Sequence, residues 1–373
     1  NSVIGNNATG VYQDSNHPYA TIDYVLALPA FKSGDIIWLQ NENGNFPWNS
    51  NFTGNRNFTI KSDVSVTLNF SSHAPGYIAS GLSGAVSIIK IDLPVGTIYN
   101  ERSGGTGIAL RDPDENGRIM LNINANYIYW NCSTTAGVLT GLSANKVSTI
   151  GNLFNFSTNV GHIFVSEIEC LSNYTSFANG FKEITIGKIT GSGSFAFSGS
   201  DAIWNIGDIL TTGTSYISFG TGSRNTVNWM DSIISSSGGI ELGSYYVGNT
   251  VHTGTIRSCA RIYFLFAENA NNNVYFKNFT ADLGTGTIRA YVNNISFENC
   301  SIKALNSPIT FGDYGLGSLT IKNSSFEVVN AVPLVTGGAG IGKTIKIAGL
   351  STNATMISDQ NGTGVTVTQF TNY

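Results

Sequence analysis

The sequence predicts an all-β protein built as a single parallel β-helix, a solenoid in which short strands stack coil upon coil. From residue 126 onward, strand-like segments recur with a period of about 22 residues. The turns between them are rich in Gly, Asn and Ser, and no run with helical periodicity separates the strands. A coil of this length holds three short strands, and each coil buries its apolar face only against the next coil.

The composition agrees with a folded chain that carries little charge. Only 11% of the 373 residues are charged, whereas globular proteins carry about 25%. Together with 41% hydrophobic residues, this excludes charge-driven disorder and a collagen repeat. The net charge is −4 and the chain has no Lys or Arg run, so we expect no nucleic acid partner. No apolar stretch reaches about 18 residues, so we expect no membrane insertion.

Each repeat has an apolar residue, a variable residue, a small or polar residue and usually another apolar residue. The third position of this pattern is occupied, in chain order, by Asn131, Asn152, Cys170, Lys188, Asp208, Asp231, Thr255, Asn278, Asn299, Asn323 and Gly349. Asparagine takes this position in five coils. Stacked amides hydrogen-bond one another along the solenoid axis, so the pattern predicts a buried, structural ladder of Asn131, Asn152, Asn278, Asn299 and Asn323.

This ladder resembles that of pectate-lyase-like right-handed β-helices, and the N-terminal segment adds a second resemblance. The sequence PYATIDYVLAL over residues 18–28, followed by SGDIIWL over 33–39, is similar to the opening of many right-handed β-helix proteins. In that family the first part is a short helix that caps the open end of the solenoid, and Gly-Asp starts the first coil. Apolar residues at Ile22, Val25, Leu26 and Leu28 favour a helix with one apolar face.

The resemblance therefore implies an N-terminal segment with a capping helix over residues 1–32 and a right-handed β-helix over 33–373. Proteins of this shape include phage tail fibres and tail spikes, polysaccharide lyases and hydrolases, and bacterial surface adhesins. The fold alone does not choose among these functions. We favour a fibre or tail-spike-like protein on the virion surface or outside the cell, which attaches to a surface polysaccharide or another receptor. Many such fibres are homotrimers, so the same assembly is expected here, and no cofactor is required.

The alternative is a polysaccharide lyase or glycoside hydrolase, which needs paired carboxylates or a basic residue beside bound calcium. The sequence lacks the Asp-Asp, His-Gly and Arg-x-Lys motifs of polygalacturonase-like enzymes and the Trp-x-Asp-His motif of pectate lyases. Asp208 and Asp231 are the remaining catalytic candidates, because one coil separates them and places them about 5 Å apart. The same column holds asparagine elsewhere, so both are also candidates for turn-forming acceptors. Glu167 and Glu169 share a face of one strand, which we interpret as the outward face of a coil.

A calcium site is a further candidate. The sequence Asp112-Pro-Asp114-Glu-Asn116-Gly matches the opening of an EF-hand-type calcium loop, with Asp112, Asp114 and Asn116 as oxygen ligands. Ile123 stands where the closing Glu of such a loop should be, so any site would need ligands from elsewhere. The same segment is typical of a solvated turn.

Aromatic side chains are candidates for carbohydrate binding, because their flat rings stack on the faces of sugars. The candidates are Tyr245, Tyr246, Trp204 and Trp229, with the two tryptophans about one coil apart. At least one tryptophan is expected to pack in the core or between subunits. A surface ridge that includes these rings would be a carbohydrate-binding site.

Overall fold

A computed structural model confirms the predicted fold class. The chain is a parallel β-solenoid of the right-handed type, with about eight turns of about 23 residues each. The structure describes residues 20–53, 56–73, 76–80, 87–101, 108–109, 119–131, 138–149, 154–155, 162–171, 174–178, 182–192, 194–197, 201–212, 217–219, 224–236, 240–241, 249–259, 262–264, 273–290, 294–311, 318–336, 344–355 and 366–369.

Two compact units make up the chain, residues 1–185 and residues 186–373. The first unit contains α1 (Ile22–Ala27), β1 (Ile36–Trp38), β2 (Gly44–Pro47), β3 (Phe52–Thr53), β4 (Phe58–Lys61), β5 (Val66–Asn69), β6 (Gly76–Tyr77), β7 (Ala79–Ser80), β8 (Ser87–Glu101), β9 (Ile108–Ala109), β10 (Ile119–Asn131), β11 (Val138–Thr149), β12 (Phe154–Asn155), β13 (His162–Cys170) and β14 (Tyr174–Ala178). Strand β15 (Glu183–Gly191) begins in the first unit and ends in the second.

The second unit continues with parallel strands of the same kind. It contains β16 (Ser194–Phe197), β17 (Ile203–Thr211), β18 (Ile217–Phe219), β19 (Asn225–Ser236), β20 (Ile240–Glu241), β21 (Asn249–Cys259), β22 (Ile262–Phe264), β23 (Asn273–Asp282), β24 (Ile288–Ala290), β25 (Asn294–Glu298), β26 (Ser301–Ala304), β27 (Ile309–Phe311), β28 (Ser318–Val328), β29 (Val335–Thr336), β30 (Thr344–Thr352) and β31 (Thr366–Gln369). The short strands β20, β22, β24, β27 and β29 form a separate five-stranded sheet on another side of the coils.

In the first unit, each long strand bends and so provides two sides of its coil. The first part of β8 pairs with β4, and the last part of β8 pairs with β5. We call the part before the bend the first arm and the part after it the second arm. The same division continues through β10, β11 and β13, which stack on β8 in parallel register.

Inward side chains of successive coils stack directly on one another in the first unit. On the first arm the column is Ile60, Ile91, Ile123, Leu142 and Ile163; on the second arm it is Leu68, Ile98, Ile128, Val147 and Ile168. All ten side chains are buried. Burying a large aliphatic side chain stabilises a fold by about 1.5–3 kcal/mol, so these columns supply the adhesion between coils.

The helix α1 is present, and it is shorter than the apolar pattern that predicts it. Ile22 and Leu26 are the buried residues of its apolar face. The Asp23 carboxylate accepts hydrogen bonds from the backbone N–H groups of Asn49, at 3.0 Å, and Ser50, at 2.8 Å. These contacts attach the helix to the loop that leads from β2 to β3.

Trp204 and Trp229 belong to the core of the second unit and are 1% and 2% exposed. Both rings lie inward on strands β17 and β19, where alternate residues face the interior. They offer no face to a ligand at the surface, so the prediction that they contribute to a carbohydrate-binding ridge is wrong. The physical reason is that a large apolar ring gains more from packing between coils than from exposure to water.

The described part of the predicted asparagine ladder lies at the surface, which corrects the expectation that its amides are buried. Asn278, Asn299 and Asn323 are exposed and have φ of 49°, 55° and 46°. They stand at the bends of their coils, where the left-handed conformation turns the chain and directs the side chain outward. One contact of the ladder is present, because Asn299 Nδ2 donates to Asn278 Oδ1 at 3.4 Å. The Asn131 side chain and Asn152 lie outside the described residues.

The repeat pattern is also out of step with the bends in part of the chain. In the second unit, the coil after that of Asp231 bends at Gly254, which has φ of 89°. The repeat pattern instead selected Thr255, one residue later. In the first unit the bends fall at Asn126 and Asn145. Asn131 and Cys170 instead end the second arms of their strands. The pattern therefore matched two different corners of the coil, because both follow an apolar strand residue.

A buried histidine stands in the core of the second unit. His252 lies opposite Val227 and Phe276, and its ring stacks on Phe276 with a centroid separation of 5.3 Å and on Trp229 with one of 6.5 Å. Complete burial lowers the pKa of His252 to about 3. The imidazole is therefore neutral at physiological pH and acts as a flat ring in an aromatic stack.

We expect Asn299→Ala to lower the free energy of unfolding by about 1 kcal/mol, because Ala disfavours the left-handed conformation that Asn tolerates. Asn299→Gly should change stability little, because glycine adopts positive φ freely. Urea denaturation of the three proteins measures the difference. Equal stability of the Ala and Gly variants would contradict the strained bend.

We expect His252→Phe to remove part of the acid sensitivity of the fold. The folded pKa lies below the unfolded value, so His252 favours folding above about pH 6.5 and this contribution is lost as the pH falls towards 3. Between pH 7.5 and 5 the loss is about 2 kcal/mol. Urea denaturation at both pH values should show a smaller drop in the variant. An unchanged drop would show that His252 is protonated in the folded state.

Candidate functional site

A surface pocket of about 440 Å³ lies on the second arm of the first unit, beside the bend. Its lining residues are Thr97, Asn126, Tyr127, Asn145, Lys146 and Glu167. We call it the Tyr127 pocket. Parallel register places Thr97, Tyr127, Lys146 and Glu167 opposite one another in successive coils. The residue that follows each of them along its strand is buried, so these four side chains share the outward face.

The edge of the Tyr127 pocket at the bend is formed by two exposed amides. Asn126 and Asn145 lie opposite each other in adjacent coils, and Asn145 Nδ2 donates to Asn126 Oδ1 at 2.9 Å. An amide has two N–H donors and an oxygen with two lone pairs, so one bond between these side chains leaves donors and acceptors for a ligand. These two side chains form an asparagine stack. It lies at a different corner of the coil from the predicted ladder residue Asn131.

Charge at the Tyr127 pocket is arranged around one lysine. Lys146 Nζ lies 2.8 Å from Glu169 Oε2 and 3.4 Å from Glu167 Oε1. Ser148 Oγ also donates to Glu169 Oε2, at 2.7 Å. The hydrogen bond from Lys146, and then that from Ser148, lower the pKa of Glu169, while Glu169 raises the pKa of Lys146. Lys146 and Glu169 are therefore ionised at neutral pH, and with Glu167 the three side chains have a formal net charge of −1.

Tyrosine rings continue the surface next to the Tyr127 pocket. Tyr129 lies two residues beyond Tyr127 on the same face, and its ring stacks on Tyr99 of the preceding coil with a centroid separation of 5.0 Å and an interplanar angle of 16°. The Tyr99 hydroxyl donates a short hydrogen bond to Glu101, which raises the pKa of Tyr99 to about 12. Tyr99 therefore remains uncharged, and its ring is held against that of Tyr129.

The Tyr127 pocket is suited to binding a polar ligand. Two amides, a lysine, the Glu167 carboxylate and a tyrosine ring line it, and such a combination orients a polar ligand. A general acid must carry a proton at the working pH. Lys146 and Ser148 keep Glu169 ionised, so this carboxylate is unsuited to that role.

The predicted carboxylates Asp208 and Asp231 lie in the second unit and have separate protein partners. Asp208 Oδ1 accepts a hydrogen bond from the backbone N–H of Ile233 at 2.9 Å. Asp231 Oδ1 lies 3.0 Å from Arg257 Nε. A register shift between β17 and β19 separates the two positions, so they are not direct neighbours in the ladder of strands. The Asp208 carboxylate stabilises this irregularity of the strand.

Several predicted site residues lie outside the described residues, namely Tyr245, Tyr246, Asp112, Asp114 and Asn116. In the part of the chain that is described, no group of three or more His, Cys, Asp or Glu residues is placed to hold a metal ion. Across the same residues, no helix has the length and hydropathy needed to cross a membrane.

Sequence reasoning noticed Glu167 and Glu169 and missed the rest of the Tyr127 pocket. The signal was present as three alternating pairs, Tyr127 with Tyr129, Lys146 with Ser148, and Glu167 with Glu169. Each pair follows its bend by one and three residues. Aligning the repeats on Asn126 and Asn145 would have superposed these pairs and predicted a continuous outward surface.

Comparisons of the chain with models of protein families, with curated proteins and with solved structures find no match. Function is therefore inferred from the chemistry of the surface. The Tyr127 pocket provides the binding groups for that inference.

We expect Lys146→Gln to raise the pKa of the Glu169 carboxyl towards its ordinary value, because Lys146 makes the largest contribution to lowering it. Ser148→Ala should raise it by a smaller amount. NMR titration of the side-chain carboxyl carbons between pH 3 and 7 measures both effects. An identical Glu169 titration in the Lys146 variant would contradict the ion pair.

Proposed function

We propose that the protein is a fibre or tail-spike-like recognition protein, on a virion or outside the cell, that attaches to a surface polysaccharide without cleaving it. The observation that carries this proposal is the Tyr127 pocket. Sugars present many hydroxyl groups and flat apolar ring faces, and the pocket presents two amides, a carboxylate and a tyrosine ring to match them.

The rigidity of the pocket supports this role. Its side chains project from paired strands, so the register between coils sets their spacing. Thr97, Tyr127, Lys146 and Glu167 occupy four successive coils, and this arrangement suits a ligand that extends across strands. Such a preformed surface binds with little loss of conformational entropy.

Kinship with pectate-lyase-like right-handed β-helix proteins belongs to the same proposal and is supported by the parallel solenoid and the short helix α1. A bacterial surface adhesin would use the same binding chemistry. We further propose a homotrimer, the assembly that many fibres adopt. Analytical ultracentrifugation of the purified chain tests this assembly, and a monomer at micromolar concentration would overturn the trimeric fibre.

We expect the chain to bind members of a panel of bacterial surface polysaccharides, and Tyr127→Ala to weaken that binding at least tenfold because the ring face is lost. Tyr127→Phe should retain most of the affinity. Tyr275→Ala is the matched control, since Tyr275 is a half-buried tyrosine in the second unit. Glycan arrays followed by calorimetry measure the affinities.

Two results would contradict the proposal. Equal affinity of the Tyr127→Ala variant and the unaltered chain would show that the pocket does not bind the polysaccharide. Release of reducing ends or unsaturated products from the polysaccharide would show an enzyme. In that case Asp208→Asn and Asp231→Asn would test the predicted carboxylates, and loss of cleavage in either would assign them a catalytic role.

A further inference from the structure

The outward face of the first arm in the first unit carries a second surface, on a different side of the coils from the Tyr127 pocket. One outward residue from each of six successive coils lies opposite the next in parallel register. In order, these residues are Trp38, Lys61, Asp92, Asn124, Ser143 and Phe164. We call this line of side chains the Trp38–Phe164 row. With coils about 4.8 Å apart, the row extends for about 24 Å.

An exposed aromatic ring stands at each end of the row. Trp38 is 50% exposed and Phe164 is 53% exposed. The Lys61 ammonium group lies 4.3 Å from the centroid of the Trp38 ring, a cation–π contact that restrains the ring at the surface. An exposed ring of this size offers a flat apolar face on which a sugar ring can stack.

The middle of the row is polar, and its side chains contact one another. Asn124 Nδ2 donates to Asp92 Oδ1 at 2.8 Å, and Lys90 Nζ lies 2.9 Å from Asp92 Oδ2. Lys90 holds the pKa of Asp92 below its ordinary value, so the carboxylate is ionised and compensated. Ser143 adds an exposed hydroxyl in the next coil. Donors and acceptors therefore line the row between the two rings.

We propose that the Trp38–Phe164 row binds a linear, uncharged polysaccharide that lies across the coils, with sugar rings stacked on Trp38 and Phe164. Sugar hydroxyls then hydrogen-bond to the side chains of Asp92, Asn124 and Ser143. This inference rests on the proposed function and names the class of its ligand. It also adds a recognition surface separate from the Tyr127 pocket.

The charges and polarity of the row favour an uncharged polysaccharide over a charged polymer or a second copy of the chain. Asp92 is paired with Lys90, and His162 at the end of the neighbouring row lies 3.1 Å from Glu183. An anionic polymer would have to displace Asp92 from Lys90, and the Lys61 ammonium group is already engaged by the Trp38 ring. The centre of a protein interface is depleted of charged residues, whereas the centre of this row holds Asp92 beside two lysines, Lys61 and Lys90. A second copy of the chain is therefore disfavoured here.

The test measures binding of dextran, mannan and laminarin as uncharged probes and of polygalacturonate as the acidic probe, by calorimetry. We expect at least one uncharged polymer to bind better than polygalacturonate. Trp38→Ala combined with Phe164→Ala should weaken that binding at least tenfold, and Trp38→Tyr should retain most of it. Ile203→Ala, at an exposed apolar residue of the second unit, is the control. Urea denaturation of each variant confirms that it is folded.

Separate outcomes overturn this inference and the proposed function. If Tyr127→Ala abolishes binding and the double variant does not, the row is excluded and the Tyr127 pocket stands. If only the double variant abolishes binding, the row stands and the pocket is excluded. Preference for polygalacturonate, or no binding to any uncharged polymer, overturns the row. A changed sedimentation coefficient in the double variant, with unchanged affinity, shows instead an interface between copies of the chain.

Discussion

Stacking of one coil on the next is the interaction on which the whole structure depends. A single coil has too few residues to enclose its own apolar side chains, so each inward residue is buried by the corresponding residues of its neighbours. The column from Ile60 to Ile163 shows the consequence, because five side chains from five coils form one continuous core line. Parallel hydrogen bonding between strands holds the same register on the outer surface.

Because the register is common to both faces, every inward column has outward columns beside it. The Tyr127 pocket and the Trp38–Phe164 row are two such columns, each assembled from residues about 20 to 30 positions apart in the chain. Stacking in the core therefore brings together surface groups that are far apart in the sequence. A solenoid can present long, regular ligand surfaces at no cost to its interior, since inward and outward residues alternate.

Corners of the coil in the second unit impose a different requirement, a left-handed backbone at one residue. Asp231, Asn278 and Asn299 adopt it because their side chains tolerate positive φ. Gly254 adopts it because it has no side chain. The amides at these corners face water, where they bond along the axis, as Asn145 bonds to Asn126 in the first unit. Bends at the surface thus explain the asparagines at these corners.

The sequence by itself determined the class of fold, the length of the coil and the short helix, because period, turn composition and an apolar helical face are local signals. It did not determine which corner each asparagine occupies or whether Trp204 faces in or out. A shift of one residue reverses the face of a strand residue, and that shift depends on bulges such as the one between β17 and β19. The Tyr127 pocket likewise required the tertiary structure, because only the stacking of coils brings Tyr127 and Lys146 together.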